Sequence, residues 1–229
     1  MIRNNAISPA GKGKNWIAFS PQDIAALSSL AKPLVFESTK LPIFHQGDTA
    51  NFVYVLVEGI VQVSRVLPDG ARHVVAFHWP GDLFGMEQQG CFTDQAETLT
   101  PCIVYQFSAD KLHEFLLTSP RLQQKILVHA VQKLREAQRQ VIVVGRLDTH
   151  RALAAFLLDC TSHEKYFDAA KSLLTLPMSR ADIAGYLGTA AESVTRALGR
   201  LEAEGLIRRV TMRELALNLP ALQALANLD

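Results

Sequence analysis

Between Leu176 and Ile207 the chain reads LPMSRADIAGYLGTAAESVTRALGRLEAEGLI, and the fold of its last third turns on that stretch. Ile183, Ala184 and Leu187 fall on one face of a first short helix, and Gly188 supplies a turn residue with no Cβ to strain. Val194, Leu198 and Leu201 repeat the three-to-four spacing on a second helix, so one side of it packs inward. What faces outward near its start is Glu192, Ser193, Thr195 and Arg196, side-chain types that hydrogen-bond base edges and phosphates. Two helices around a tight turn, the second with such a face, offer one helix to a DNA groove.

The rest of the composition is ordinary for a globular chain: 229 residues, 48% apolar, 20% charged, net charge +1. That net charge does not announce a nucleic-acid partner, but the arginines are unevenly placed. Arg180, Arg196, Arg200, Arg208, Arg209 and Arg213 gather in the last third against Asp182, Glu192, Glu202 and Glu204, an excess compatible with phosphate contacts. Cys91, Cys102 and Cys160 stand far apart with no C-x-x-C pair. This argues against a zinc knuckle or a disulfide framework and suits a reducing compartment. No apolar run reaches a membrane-spanning length and no secretory signal opens the chain, so a cytoplasmic protein without a membrane partner is expected.

Residues 1 to 15 read as a loose arm carrying Lys12 and Lys14, and Ser20-Pro21-Gln22-Asp23 as the start of a helix that Pro33 ends. From Leu34 to Phe107 the period changes to two. Val53, Val55 and Val57 alternate with Tyr54, Leu56 and Glu58; Gly59 follows, and Ile60, Val61 and Val63 continue as a strand. Pro68-Asp69-Gly70 makes a hairpin turn, Pro80-Gly81-Asp82 turns again, and a last strand covers Ile103 to Phe107. Short, evenly spaced strands indicate an antiparallel β-roll or sandwich. His45, His73 and His78 in this region raise a metal-dependent, cupin-like enzyme as an alternative. They form no His-x-His pair and have no carboxylate in a recognisable ligand pattern, so neither a metal site nor a catalytic residue is expected. The loop from Gly81 to Cys91 offers backbone N–H groups to an anion, a weak signal on its own.

Helical spacing then returns. Asp110 to Leu117 forms one short helix, and Pro120 opens the longest candidate, running to about Leu147. Leu127, Leu134 and Val141 are seven apart with Val131 between the first two, a coiled-coil-like seam interrupted by Gln138 and Gly145. Gln132, Lys133, Arg135, Glu136 and Arg139 flank it, which favours self-association over simple packing on the roll. Leu147-Asp148-Thr149 breaks the pattern, with Thr149 placed to cap a helix from Ala152 to Cys160, and Ser162 to Lys171 reads as loop. Gly205 closes the second motif helix; Leu206 to Arg209 and Glu214 to Asn218 can pair as a two-stranded wing with Arg208, Arg209 and Arg213 near its tip. Pro220 to Leu228 reads as a short terminal helix. An α+β chain follows: arm and β-roll over 1–119, dimerisation helix over 120–147, winged helix-turn-helix over 148–229.

This order of parts resembles the CRP/FNR superfamily of transcription regulators. The resemblance rests on Gly47-Asp48 with Val55 to Gly59 (VLVEG), Pro80 to Gly85 (PGDLFG), Arg151 to Leu158 (RALAAFLL), and Ile183 to Glu204. It implies a cyclic-nucleotide-binding-like sensor roll, a homodimer, double-stranded DNA and RNA polymerase as partners, and activation more often than repression. Glu192-Ser193-Val194-Thr195-Arg196 is similar to the family's reading motif, and the hydroxyl of Thr195 places it nearer the FNR/FixK branch than the CRP branch. By resemblance, Arg196 contacts the guanine of a TTGA(T/C)-like half-site, Glu192 a cytosine amino group and Thr195 a thymine. Ser179, Arg180 and Ser193 match positions that hold phosphates. The chemistry agrees, since Arg forks onto guanine O6 and N7 and a carboxylate accepts from cytosine N4. Where the family has Ser or Thr two residues after the turn glycine, this chain has Ala190. A plainer role for Glu192, in a capping box with Thr189, therefore stands beside base reading.

The sensor departs further from the family. Gly85 is followed by Met86, the stretch from Gly90 to Gln95 holds no Arg, and the long helix offers Glu136-Ala137 where cyclic-AMP binders carry hydroxyls. Cyclic AMP is thus not the expected ligand. Three cysteines, none within residues 1–40, cannot supply a four-cysteine iron–sulfur cluster. Haem through a histidine stays open, and no cofactor is evident. A cyclic-nucleotide- or haem-responsive regulator of the same superfamily, or a metal-dependent β-roll enzyme, are the alternatives.

Overall fold

The computed structural model describes residues 27–87 and 90–226; Lys12, Lys14 and the helix start expected at Ser20 lie outside them. The chain forms two compact units that divide between Gln132 and Lys133. That point lies inside the long helix, whereas the sequence places boundaries at the helix ends.

In the first unit, eight strands among the described residues make two antiparallel four-stranded sheets. Strands β1 (Lys32–Phe36), β3 (Phe52–Glu58), β6 (Leu83–Phe84) and β8 (Cys102–Ser108) form one in the order β1-β8-β3-β6. Strands β2 (Pro42–Phe44), β4 (Val61–Val66), β5 (Arg72–His78) and β7 (Gln95–Thr98) form the other in the order β2-β7-β4-β5. The alternation along β3 has a reason on both faces. Tyr54 and Leu56 enter the interior between the sheets, while Val53 joins Phe107 and Leu112 on the other side. Leu112 belongs to helix α1 (Ala109–Leu117), which covers that side. The hairpin at Pro68-Asp69-Gly70 is closed by Leu67 N–H to Ala71 C=O at 2.9 Å and by Gly70 N–H to Leu67 C=O at 2.9 Å.

Glycine is required at Gly59, where φ is +93° and a Cβ would stand 2.3 Å from the Pro101 carbonyl oxygen. Downstream, Asp82 accepts from the N–H of buried Trp79 at 3.0 Å, fixing the turn that leads into β6. Helix α2 (Pro120–Arg146) is unbroken over 27 residues.

The second unit holds α3 (Thr149–Cys160), β9 (Phe167–Asp168), β10 (Leu173–Thr175), α4 (Arg180–Leu187) and α5 (Ala191–Ala203). It continues with β11 (Ile207–Arg209), β12 (Glu214–Leu217) and α6 (Leu219–Ala226). Helix α3 packs against α5 and α6, and Leu153, Leu157, Val194, Leu201 and Leu222 lose all contact with solvent. Each such burial stabilises by about 1.5–3 kcal/mol before entropy is counted. Arg139, near the end of α2, donates to the carboxylate of Asp159 on α3, and Gln140 donates to the Tyr186 carbonyl at 2.9 Å. Burial raises the Asp159 pKa, with Arg139 opposing the shift.

Two expectations are corrected here. Asp148, not Thr149, caps α3, because its Oδ1 reaches the Arg151 N–H at 2.9 Å while Thr149 is already the first helical residue. The wing is also more than a hairpin. Residues Phe167 and Leu174 pair, β10 pairs in turn with β12, and the sheet runs β11-β12-β10-β9. The stretch from Ser162 to Lys171 therefore contains a strand as well as loop.

Candidate nucleic-acid interface

Helix α4 begins with a reciprocal cap. Ser179 Oγ accepts from the Asp182 N–H at 3.1 Å, and the Asp182 carboxylate accepts from the Ser179 N–H at 2.8 Å and from its hydroxyl at 2.6 Å. The helix ends at Gly188, in the left-handed region with φ 64° and ψ 35°. Ile183, Ala184 and Leu187 are buried beneath it. The chain then turns into α5, whose buried stripe is Val194, Ala197, Leu198 and Leu201. A Schellman close follows, with Gly205 N–H to Glu202 C=O at 3.0 Å and Leu206 N–H to Leu201 C=O at 2.9 Å.

The start of α5 settles the capping question raised by the sequence. Ala190 holds the cap position in extended conformation and no side chain caps the helix. Thr189 lies one residue too early, its hydroxyl 3.4 Å from that of Thr149. Glu192 therefore sits in the first turn, exposed and outside any capping box. The neighbouring polar groups are occupied only within their own helix. Thr195 donates to the Ala191 carbonyl at 2.9 Å, and Arg196 donates to Ser193 Oγ at 2.9 Å. Both are exposed. Glu192, Thr195 and Arg196 thus lie together on the outward face, with Ser193 beside Arg196.

The arginine excess resolves into two groups. Arg200 is paired with Glu204 at 2.8 Å and Arg209 with Glu202 at 3.4 Å. Arg180, Arg196, Arg208 and Arg213 make no ion pair among the described residues. Arg180 opens α4 with a buried Nη1 that has no hydrogen-bond partner among them. Ser179 is the predicted phosphate residue whose hydroxyl proton is already committed, to Asp182.

The sequence missed the Glu202–Arg209 latch. Besides the ion pair, Glu202 Oε1 accepts from the Arg209 N–H at 3.0 Å, which ties β11 to α5. The only signal for it was the position of Glu202 on the flank of the buried stripe.

On α2 the seam residues remain uncovered in the single chain. Leu127 is 63% exposed, Val131 43%, Leu134 58% and Val141 72%. Leu122 and Val143 point elsewhere and are buried. A helix that buries one apolar stripe and exposes another along its length has a second surface to cover.

The interior of the roll is built differently. Phe44 stacks on Phe92 with ring centres 3.9 Å apart and on Tyr54 at 5.4 Å; Tyr54 stacks on Phe84 at 5.4 Å, and His78 on Phe84 at 5.0 Å. Gly85 fits against this stack because a Cβ there would meet Tyr54 Cδ2 at 2.8 Å. In the loop beyond it, Glu87 accepts from the Thr93 N–H at 3.2 Å and from its hydroxyl at 2.8 Å. Arg65 is bound to Asp94 at 2.7 Å. The three histidines do not converge: His45 pairs with Asp48 at 3.4 Å on the surface, His73 is exposed, and His78 lies 3.4 Å from Asp82. Cys102 and Cys160 are buried, and burial pushes both thiols up, away from reactive thiolate; Cys91 is exposed.

Comparison with known proteins finds matches in both halves of the chain. Residues 39–119 match the model for a cyclic nucleotide-binding domain and residues 151–228 that for a Crp-like helix-turn-helix domain. The nitrogen fixation regulation protein FixK of Rhizobium meliloti is 33% identical, over 81% of this chain and 83% of its own. The chain belongs to the CRP/FNR family. Its FixK/FNR-type relatives also include the transcriptional activatory protein AadR of Rhodopseudomonas palustris, 30% identical over 82% of this chain and 78% of that protein. The structure of FixK2 from Bradyrhizobium japonicum superposes with a TM-score of 0.78, at 29% identity, over 87% of this chain and 98% of that one. As a CRP/FNR regulator, the protein joins a cyclic-nucleotide-binding-like roll to a DNA-binding helix-turn-helix. No described helix is long and apolar enough to cross a membrane.

Proposed function

We propose that this CRP/FNR regulator binds a palindrome of TTGA(T/C)-like half-sites as a homodimer and activates transcription by contact with RNA polymerase. The carrying observation is the outward face of α5, where Glu192, Thr195 and Arg196 lie together with hydrogen bonds only inside their own helix. Such bonds exchange for base edges at little cost, and the three side chains suit cytosine, thymine and guanine in turn. Arg180 and Ser193 hold phosphates, with Ser179 acting there through the helix start that it caps.

Leu127, Val131, Leu134 and Val141 pair with the same residues of a second copy, setting two α5 helices about 34 Å apart in successive major grooves. The self-filled interior of the roll, with Glu87 in the loop beside it, supports a regulator that does not answer to cyclic nucleotides. No iron–sulfur cluster, haem or metal enters this reading.

The test is selection of bound duplexes from a random pool, followed by sedimentation of the complex. Enrichment of a TTGA(T/C) palindrome bound by two copies is expected. Enrichment of an unrelated motif overturns the base assignment. A Leu134→Glu chain that still sediments as a dimer overturns the helix seam.

A further inference from the structure

The last turns of α2 carry contacts on two opposite faces. Leu134 and Val141, both exposed, belong to the seam. Arg139, Gln140 and Val143 lie on the other side of the helix, where Val143 is buried. There Arg139 Nη1 donates to both carboxylate oxygens of Asp159 on α3. Gln140 Nε2 donates at 2.9 Å to the carbonyl of Tyr186 in the last turn of α4, an acceptor that the helix itself leaves open.

All of these groups belong to the second unit, which takes in α2 from Lys133 onward. Helices α3 and α4 both pack against α5. Only Leu147 and Asp148 separate α2 from α3, and backbone torsions at such a joint would let α3 and its neighbours swivel about the end of α2. Two side chains of α2 reaching two different helices remove that freedom. The Arg139 and Asp159 side chains are 41% and 48% exposed, so their pairing adds little to stability. What it supplies is direction.

We propose that Arg139 and Asp159, with Gln140 beside them, are positioning residues that set the spacing between the two half-sites the dimer accepts. The proposal rests on the homodimer and DNA-binding readings above. The seam fixes one α2 against that of a second copy, and the opposite face of the same turns fixes α5 against α2. A rigid path then runs from the dimer axis to each α5. Each base pair inserted between half-sites moves one of them by about 3.4 Å and rotates it by about 35°, which breaks the match. Without the latch, each α5 reads its own half-site as before but swivels to follow a displaced one.

The test uses the full-length protein and three duplexes: a single half-site, the palindrome recovered by selection, and that palindrome with two base pairs inserted at its centre. Wild type is expected to bind the extended palindrome about 100-fold more weakly than the selected one, because both half-sites can no longer be engaged together. Arg139→Glu, which sets two carboxylates against each other, is expected to narrow this gap to about fivefold with half-site affinity unchanged. Adding Asp159→Arg to it restores an opposite-charge pair and is expected to restore most of the gap. Both chains are expected to sediment as dimers, since the seam lies on the other face. A spacing-selective wild type whose Arg139→Glu chain is equally selective overturns the proposal and leaves the dimer reading intact. So does an Arg139→Glu chain that loses half-site affinity or dimerisation, which makes the contact structural, or one that the second charge fails to rescue. Wild type indifferent to spacing overturns the paired reading itself, and this inference with it.

Discussion

In the roll, Phe44, Tyr54, Phe84 and Phe92 close the interior on one another, whereas on α5 Glu192, Thr195 and Arg196 stand in solvent with only local bonds. Gly59 and Gly85 are places where the roll leaves no room for a Cβ. Gly199, on the exposed side of α5, has nothing within 4 Å of where a Cβ would stand. The roll packs its described aromatic side chains on one another, whereas the polar groups at the start of α5 are bonded only locally.

The contrast can be broken most sharply at Gly59. Gly59→Ala forces a positive φ on a side chain and drives a methyl into the Pro101 carbonyl, and is expected to destabilise the chain by roughly 3 kcal/mol or more. Urea unfolding followed by far-UV circular dichroism measures this, and an unchanged midpoint would mean that the roll has slack. Next in size, Arg196→Ala is expected to lose roughly 1–3 kcal/mol of specific DNA binding, read by fluorescence anisotropy, with no loss of thermal stability. A variant that unfolds earlier but still discriminates would make Arg196 structural.

Ser179→Ala removes one half of the cap on α4 and is expected to cost roughly 1 kcal/mol in the same unfolding experiment. Loss of DNA affinity without that cost would return Ser179 to a direct phosphate role. The smallest effect runs in the other direction. Gly199→Ala is expected to raise stability by roughly 0.5–1 kcal/mol, because open space surrounds the new methyl and the unfolded chain loses freedom.

The helix-turn-helix was legible because its signals are local. Ile183, Ala184 and Leu187, then Val194, Leu198 and Leu201, are spaced by helical geometry alone, and Gly188 and Gly205 mark ends that need a left-handed residue. Asp148 and Thr149 show the limit of such reading: both can cap, and only the reach of Asp148 to the Arg151 N–H decides. Strands β9 and β10 were missed because two- and three-residue strands exist only by virtue of what they pair with, although Leu173-Leu174 gave a faint apolar signal. The roll's strands were visible in outline, but its stacked interior was not. Phe44 and Phe92 are 48 positions apart, and nothing in their neighbourhoods announces that their rings meet.

The placement of Trp79 carries a spectroscopic consequence. The chain has two tryptophans, at positions 16 and 79, and none after Gln132. Trp79 is buried in the roll beside Asp82, so the emission of that indole, recorded in a Trp16→Phe chain, observes the first unit. Ellipticity at 222 nm, in contrast, is weighted towards the helices of the second unit. Recording both during one unfolding titration separates the melting of the two halves without a label or a truncation, and any effector that tightens the roll alone would shift one curve and leave the other in place.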